Sequence, residues 1–317
     1  MASALNILVL NNLADRHKDA IAAAMPGITV TVTDLEHAGE HIAATDILVA
    51  WGWTDIRPLY LAAPRLKWVH ALSAGVESLT FPEIQASDTI LTNSKGIHGI
   101  PVSEHVFAMM LAFTRGLNLL IRQQQAVKWN RVPTDEIHEK TLGIVGLGSI
   151  GREIAKKAKG LGMEVVATKQ EMTTEIFVDK LYKPEQLHEM LGVSDFVVSA
   201  VPLTDKTSGL FTLEEFRAMK PTAYFFNIAR GAVVREADLA IALQLGVIKG
   251  AGLDVFENEP LPADSPLWAM DNVIVTPHLA AISPYYLDRA VKLFVDNLVR
   301  YTQNREMFNI IDKAKGY

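Results

Sequence analysis

Strand-length apolar runs alternate with amphipathic or polar stretches along the whole chain, the pattern of an α/β protein with parallel sheets. In the first third the runs are NILVLN (6–11), TVTVTD (29–34), DILVAWG (46–52), LKWVHA (66–71) and TILTNS (89–94). Segments such as ADRHKDAIAAAM (14–25) separate them as helices or loops. A second series opens at TLGIVGLGSIG (141–151). It continues through EVVATK (164–169), DFVVSAVP (195–202), YFFNIA (224–229), GAGLDVF (250–256) and VIVTPH (273–278). Between the two series the pattern predicts one long helix over 102–127. Pro101 stands beside its start, Ser103 is its candidate N-cap, and Phe107, Met110, Leu111, Leu117 and Ile121 give it apolar faces. That is more apolar surface than covering one core requires. The helix therefore reads either as a connector that also packs on another subunit or as a fully buried helix. Residues 284–303 predict a last amphipathic helix with Leu287, Ala290, Leu293, Phe294 and Leu298 along it.

The first series is flavodoxin-like, small and self-contained. The second has the spacing of a six-stranded doubly wound sheet. At its start GLGSIG (146–151) is a weak signal alone, but the strand-like LGIV leads into it and the helical REIAKKAKGLG (152–162) leaves it. Gly146 permits the tight turn, Gly148 lets backbone approach a pyrophosphate, and Gly151 allows close helix–strand packing. The ordinary alternative is a structural glycine turn, which six surrounding strands argue against. An acid about 20 residues further on would bind the ribose 2′-hydroxyl of NAD. Here VVATKQEM (165–172) puts Thr168, Lys169 and Gln170 at that place. A hydroxyl and an ammonium suit a 2′-phosphate, and no carboxylate is expected there to repel it, so NADP is favoured over NAD. A solvated loop role for Lys169 competes with this, and Glu171 keeps NAD in play.

Composition narrows the function classes. The 317 residues are 49% hydrophobic and 21% charged, with a net charge of −6, which gives no support to a nucleic-acid surface. The N-terminal MASALNILVLNN lacks the basic start of a signal peptide, and VFAMMLAFTRGLNLLI (106–121), interrupted by Arg115 and Asn118, is too short to span a bilayer. The absence of cysteine excludes disulfides, thiolate catalysis and cysteine-ligated metal, and fits a cytoplasmic location. No metal site is expected.

Three residues carry candidate chemistry. Arg230 closes YFFNIARG (224–231), Glu259 follows GLDVFEN (252–258), and His278 ends VIVTPH (273–278). A guanidinium grips a carboxylate with paired N–H donors, an imidazole moves one proton near neutral pH, and a neighbouring carboxylate orients the ring. Singly, each has an ordinary reading: structural ion pair, loop acid, turn histidine. Three at corresponding strand ends reverse that weighting.

GLGSIG (146–151), VPLTDKTSGL (201–210), NIARGAVVREADL (227–239), GLDVFENEPLP (252–262) and TPHLAA (276–281) together resemble the D-isomer-specific 2-hydroxyacid dehydrogenases, over nearly the whole chain. This family contains glyoxylate/hydroxypyruvate reductases, D-lactate dehydrogenases and D-3-phosphoglycerate dehydrogenases. The resemblance implies a flavodoxin-like substrate domain of 1–100 plus 284–317 and an inserted Rossmann dinucleotide domain of 101–283. It implies NAD(P)H-dependent reduction of 2-oxo acids to D-2-hydroxy acids, with Arg230 as carboxylate clamp, His278 as acid/base and Glu259 orienting it. For the cofactor it implies Gly146, Gly148, Ser149, Ile150, Gly151, Thr168, Lys169, Val201, Pro202, Thr207, Ile228, Ala229 and Ala280. It also sets Asp254 facing the nicotinamide carboxamide; a strand-end cap is the equal alternative. The loop SAGVE (73–77) would bring the backbone of Ala74, Gly75 and Val76 to the substrate carboxylate. His98 stands in GIHG (96–99), where many relatives carry Asn, and is either a substrate contact or a second titrating group. Trp51, Trp53, Tyr285 and Tyr286 would suit a larger or apolar 2-oxo acid, or else belong to the core. A symmetric dimer is the expected assembly, and the partner is a small-molecule acid, not nucleic acid or membrane. The competing readings are a phosphite-type dehydrogenase, which the motifs do not exclude, and a dinucleotide-sensing co-repressor. The latter would need recruitment segments not evident here.

Overall fold

Burial on both faces is what makes the apolar runs strands of parallel sheets rather than half-wet hairpins. The computed structural model describes residues 5–313. They divide after Ile97 and after Ile282 into a unit made from both ends of the chain and a continuous unit, His98–Ile282.

In the first unit β1 (Leu5–Val9), β2 (Ile28–Val32), β3 (Ile47–Ala50), β4 (Trp68–Ala71) and β5 (Ile90–Asn93) form an all-parallel sheet in the order β2-β1-β3-β4-β5. Side chains alternate between two cores. Ile7, Val9, Ile47, Val49 and Trp68 pack with Ala290, Val291, Phe294 and Leu298 of the helix Tyr286–Thr302. Leu8, Leu48 and Val69 point to the other side. The chain's last described segment closes the sheet edge, with Ile311 N–H donating to the Leu91 carbonyl and Asn309 Nδ2 to the carbonyls of Asn93 and Lys95.

His70 lies in the middle of this sheet with no exposure, bonded through Nδ1 to Thr92 Oγ1 at 2.8 Å, and burial lowers its pKa from 6.5 to about 3. The folded state thus holds a neutral ring where the unfolded chain takes up a proton. This stabilisation is complete above pH 6.5 and is lost as pH falls towards 3. One such group contributes a slope of about 1.4 kcal/mol per pH unit. Urea unfolding of His70→Gln across that window should show the slope reduced by one proton; an unaltered slope contradicts the assignment.

The second unit holds a seven-stranded parallel sheet, ordered β12-β11-β10-β9-β6-β7-β8. Its strands are β6 (Thr141–Val145), β7 (Glu164–Thr168), β8 (Lys180–Tyr182), β9 (Phe196–Ser199), β10 (Tyr224–Asn227), β11 (Gly250–Leu253) and β12 (Val273–Val275). The sequence pattern predicts six; β8 is the addition, three residues long, at the edge beside β7. Strand order reverses at β6, between β7 and β9, and the carboxyl ends flanking such a reversal are where open sheets bind ligands. Alternate residues again feed two cores: Val197 and Phe225 on one face, Val198, Tyr224 and Phe226 on the other.

The predicted 102–127 helix is two helices, Gly99–Thr114 and Leu117–Gln125. They part at Gly116, whose φ of 67° is a left-handed turn that glycine takes without a Cβ penalty. The first starts at Gly99, not beside Ser103; Ser103 is buried inside it with its hydroxyl bonded to the Ile100 carbonyl. The two halves differ in burial. Val102, Val106, Met109 and Met110 are core, whereas Leu117–Gln125 has no buried residue and leaves Leu117, Leu120 and Ile121 exposed. No helix among the described residues is long and apolar enough to cross a membrane.

Candidate active site

The ends of adjacent parallel strands carry the site. β6 runs into Gly146, whose φ of 98° makes the turn and whose N–H donates to Thr168 Oγ1 at the end of β7, 3.2 Å away. A Cβ on Gly151 would stand 2.7 Å from the Gly146 carbonyl, so the helix Ser149–Gly160 can approach the strand only with glycine there. Above Gly148, which opens this helix without a side-chain cap, an added Cβ would meet nothing within 4 Å. Open space over a helix N-terminus whose first N–H groups have no side-chain cap fits a pyrophosphate. Ser149 and Ile150 begin that helix, with Ser149 exposed.

The neighbouring loops are tied to themselves. Thr207 Oγ1 donates to the Pro202 carbonyl at 2.5 Å and accepts from Thr204 N–H, fixing the 202–207 turn beyond the part-buried Val201. Ile228 and Ala229 are buried just past β10, where Ala229 N–H donates to Asn227 Oδ1.

Arg230, three residues past β10, Glu259, six past β11, and His278, three past β12, follow neighbouring strands of the sheet. His278 and Glu259 meet, with Nδ1 and Oε2 at 2.7 Å. The second carboxylate oxygen of Glu259 accepts the Phe256 N–H at 3.0 Å. Burial works to raise the Glu259 pKa, but the bonds from His278 and Phe256, with the charges of His278 and Arg230, outweigh it and hold it below the ordinary value. An ionised carboxylate only accepts, so Nδ1 carries the hydrogen and Nε2 is left for a substrate proton. His278 has a φ of 51°, a conformation unfavourable outside glycine. Its N–H donates to the carbonyls of Asp254 and Thr276. Arg230 is exposed, with Nη1 donating to the Ala229 carbonyl at 2.8 Å. His98, ahead of the helix Gly99–Thr114, is part-buried; burial first and the charge of Arg230 second lower its pKa, which favours the neutral ring.

Asp254 holds the turn that presents His278. Its two oxygens accept from Thr276 Oγ1 (2.6 Å), Leu279 N–H (3.0 Å) and Ala280 N–H (2.9 Å). Sequence reasoning missed His105, which reaches the same turn. Thr276 gives its hydroxyl hydrogen to Asp254, so its oxygen accepts from His105 Nε2 at 2.9 Å. The available signal was a histidine within the mainly apolar helix Gly99–Thr114.

Lys169 corrects the expectation of a carboxylate-free phosphate seat. Its ammonium contacts Glu175 Oε1 at 2.7 Å, and the same carboxylate binds Arg152; neither Glu175 nor Arg152 was anticipated. In the other unit, the 73–77 loop is braced by Ser73, whose Oγ accepts the Gly52 N–H and donates to the Gly75 carbonyl, each at 2.8 Å. Ala74 accepts from Asn93 Nδ2, and Val76 is buried. Gly52 lies between Trp51 and Trp53, which stack at 4.6 Å with Trp53 65% exposed. Tyr286 donates its hydroxyl to the Leu72 carbonyl, while Tyr285 is exposed. Among the described residues no group of three or more His, Asp or Glu is arranged to hold a metal ion.

Residues 107–280 match a family profile described as D-isomer specific 2-hydroxyacid dehydrogenase, NAD binding domain. A glyoxylate reductase of Korarchaeum cryptofilum is 33% identical over 265 residues, 80% of this chain and 79% of that one. Among solved structures, a D-isomer specific 2-hydroxyacid dehydrogenase family protein from Aeromonas salmonicida superposes with a TM-score of 0.86 at 36% identity, over 98% of this chain and 100% of the other. An NADPH-dependent glyoxylate/hydroxypyruvate reductase from Sinorhizobium meliloti, in complex with NADP and sulfate, gives 0.80 at 29% identity, over 99% and 100%.

Proposed function

The chain belongs to the D-isomer-specific 2-hydroxyacid dehydrogenase family and is an NAD(P)-dependent oxidoreductase, and from that premise we propose that it reduces 2-oxo acids to D-2-hydroxy acids with Arg230, Glu259 and His278 as its working residues. The observation that carries this reading is the 2.7 Å bond between His278 Nδ1 and an ionised Glu259. It engages Nδ1 and leaves Nε2 for a substrate proton, on a residue that follows β12 as Arg230 follows β10 two strands away in the same sheet.

A reduced nicotinamide, when bound, supplies the hydride for the substrate carbonyl. Arg230 grips the substrate carboxylate with its forked N–H donors and fixes which face of the carbonyl is presented. His278 gives its Nε2 proton to the carbonyl oxygen as negative charge grows there, and Glu259 stabilises the cationic ring before the transfer. In the oxidising direction neutral Nε2 takes the hydroxyl proton. The lowered pKa of His98 disfavours a second positive charge near Arg230, and His98 is assigned to substrate contact. Gly146, Gly148, Ser149, Ile150 and Gly151 would hold the pyrophosphate. Val201, Pro202, Thr207, Ile228, Ala229 and Ala280 would line the dinucleotide groove, with Asp254 supporting its nicotinamide end. The same reading assigns Ala74, Gly75 and Val76 to the substrate carboxylate. The unit that contains β1–β5 serves the substrate, and His98–Ile282 serves the cofactor. NADP is preferred on the two cations, Lys169 beyond β7 and Arg152 in the glycine-turn helix, which its 2′-phosphate takes over from Glu175. A homodimer covers the exposed Leu117, Leu120, Ile121, Val127 and Trp129.

A panel of glyoxylate, hydroxypyruvate, pyruvate and phenylpyruvate with NADPH and NADH tests the reading. Phenylpyruvate is included because the exposed Trp53 stack is hydrogen-bonded through Gly52 to the 73–77 loop. We expect turnover of 2-oxo acids to the D-hydroxy acid, with higher kcat/KM for NADPH. No turnover of any member defeats the enzyme assignment, and higher kcat/KM with NADH defeats the cofactor preference.

A further inference from the structure

Two cations and a hydroxyl converge on one carboxylate beside the glycine turn. Arg152 donates Nε and Nη2 to the two oxygens of Glu175 at 2.9 and 2.8 Å, a bidentate fork. Lys169 Nζ adds a bond at 2.7 Å, and Thr173 Oγ1 lies at 3.2 Å. The Lys169 ammonium also donates to the Thr173 hydroxyl. The Glu175 side chain is 11% exposed and that of Lys169 17%, while Arg152 is 48% exposed, so the cluster is shielded on its carboxylate side and open to solvent on its guanidinium side. Arg152 and Lys169 draw the Glu175 pKa down to about 2, so the carboxylate is ionised at any working pH.

The location gives the cluster meaning. Lys169 directly follows β7, and Arg152 lies in the first turns of the helix that leaves the glycine turn. Thr168 bolts the end of β7 to Gly146. In a doubly wound dinucleotide fold, the end of the strand after the glycine turn is where the adenosine ribose 2′ position is read. A guanidinium fork with an ammonium beside it is the donor set that a phosphate monoester takes. Here those donors already hold an anion of the chain itself. Glu175 lies in the stretch between β7 and β8, which has no helix or strand and exposes Met172 and Ile176, so the carboxylate can leave without unravelling the sheet.

We propose that the Glu175 carboxylate occupies the seat of the cofactor's 2′-phosphate and competes with it for Arg152 and Lys169, so that this one side chain sets the preference between NADP and NAD. A 2′-phosphate must displace Glu175. A 2′-hydroxyl leaves the cluster intact and finds a carboxylate nearby to accept its hydrogen. The inference rests on the proposed dinucleotide site at the glycine turn.

The test is calorimetric titration of the intact protein with NADPH, NADH, adenosine 2′,5′-bisphosphate and AMP. Glu175→Gln keeps the side-chain shape and removes the charge. It should tighten NADPH and the bisphosphate by about tenfold, the scale of one charged contact, and leave NADH and AMP within about threefold or weaker. Adding Arg152→Ala should abolish the gain. Unchanged or weaker NADPH binding in Glu175→Gln, or an equal shift for phosphorylated and unphosphorylated ligands, overturns the proposal. Wild-type protein that binds neither NADPH nor NADH refutes the dinucleotide site itself. NADH binding kept without a change in NADPH refutes only the role of Glu175.

Discussion

His278→Gln is expected to lower kcat for 2-oxo acid reduction by roughly 10²–10⁴-fold, the usual yield of a positioned general acid, while Kd for the cofactor stays near wild type. Glutamine can still donate a hydrogen bond to Glu259, so the loop beyond β11 keeps its partner. What it cannot do is give up a proton to the substrate oxygen. The backbone supports the same reading. A non-glycine residue at φ 51° persists only where its surroundings hold it, and here two main-chain bonds to Asp254 and Thr276 do so, with the side-chain bond to Glu259 adding to them. Strain kept at this one turn puts the imidazole in a fixed direction. Turnover near wild type in His278→Gln would remove His278 from the chemistry.

Gly231→Ala should cost about 10²-fold in kcat/KM and lower the melting temperature, although no side-chain function is deleted. A Cβ on Gly231 would overlap the main-chain carbonyl of Phe256. That contact joins the segment after β10, which carries Arg230, to the segment after β11. The Phe256 N–H in turn anchors Glu259. Relief must push the two segments apart, separating the carboxylate clamp from the residue that orients the acid. Overpacking of this kind costs ~1–3 kcal/mol in stability, and misplacement by about 1 Å can cost ~10²-fold in rate. Wild-type values for both measurements would show that the contact is dispensable.

The strands were legible in the sequence because they are buried on both faces: FVVS and YFFN read as unbroken apolar runs with one polar end. β8 was not, because three residues with an exposed Lys180 at a sheet edge carry no pattern. The break at Gly116 was hidden inside an apolar stretch where only its flanks, Arg115 and Asn118, read as interruptions. Arg230, Glu259 and His278 were readable from their positions after strand-like runs. Glu175 was not, since counting about 20 residues from the glycine turn stops short of it, and only the irregular path after Lys169 brings its carboxylate back. His105 illustrates the same limit. Its hydrogen bond to Thr276 joins a helix to a strand end 171 residues away, which residue spacing does not encode.

The most direct test of the catalytic account is a single-turnover stopped-flow experiment. Enzyme preloaded with NADPH is mixed with a 2-oxo acid that the wild type reduces, and loss of the reduced nicotinamide absorbance is followed for wild type and His278→Gln side by side. With His278 as the general acid, the variant slows by roughly 10²–10⁴-fold at equal cofactor occupancy. Equal rate constants for the two proteins would contradict it.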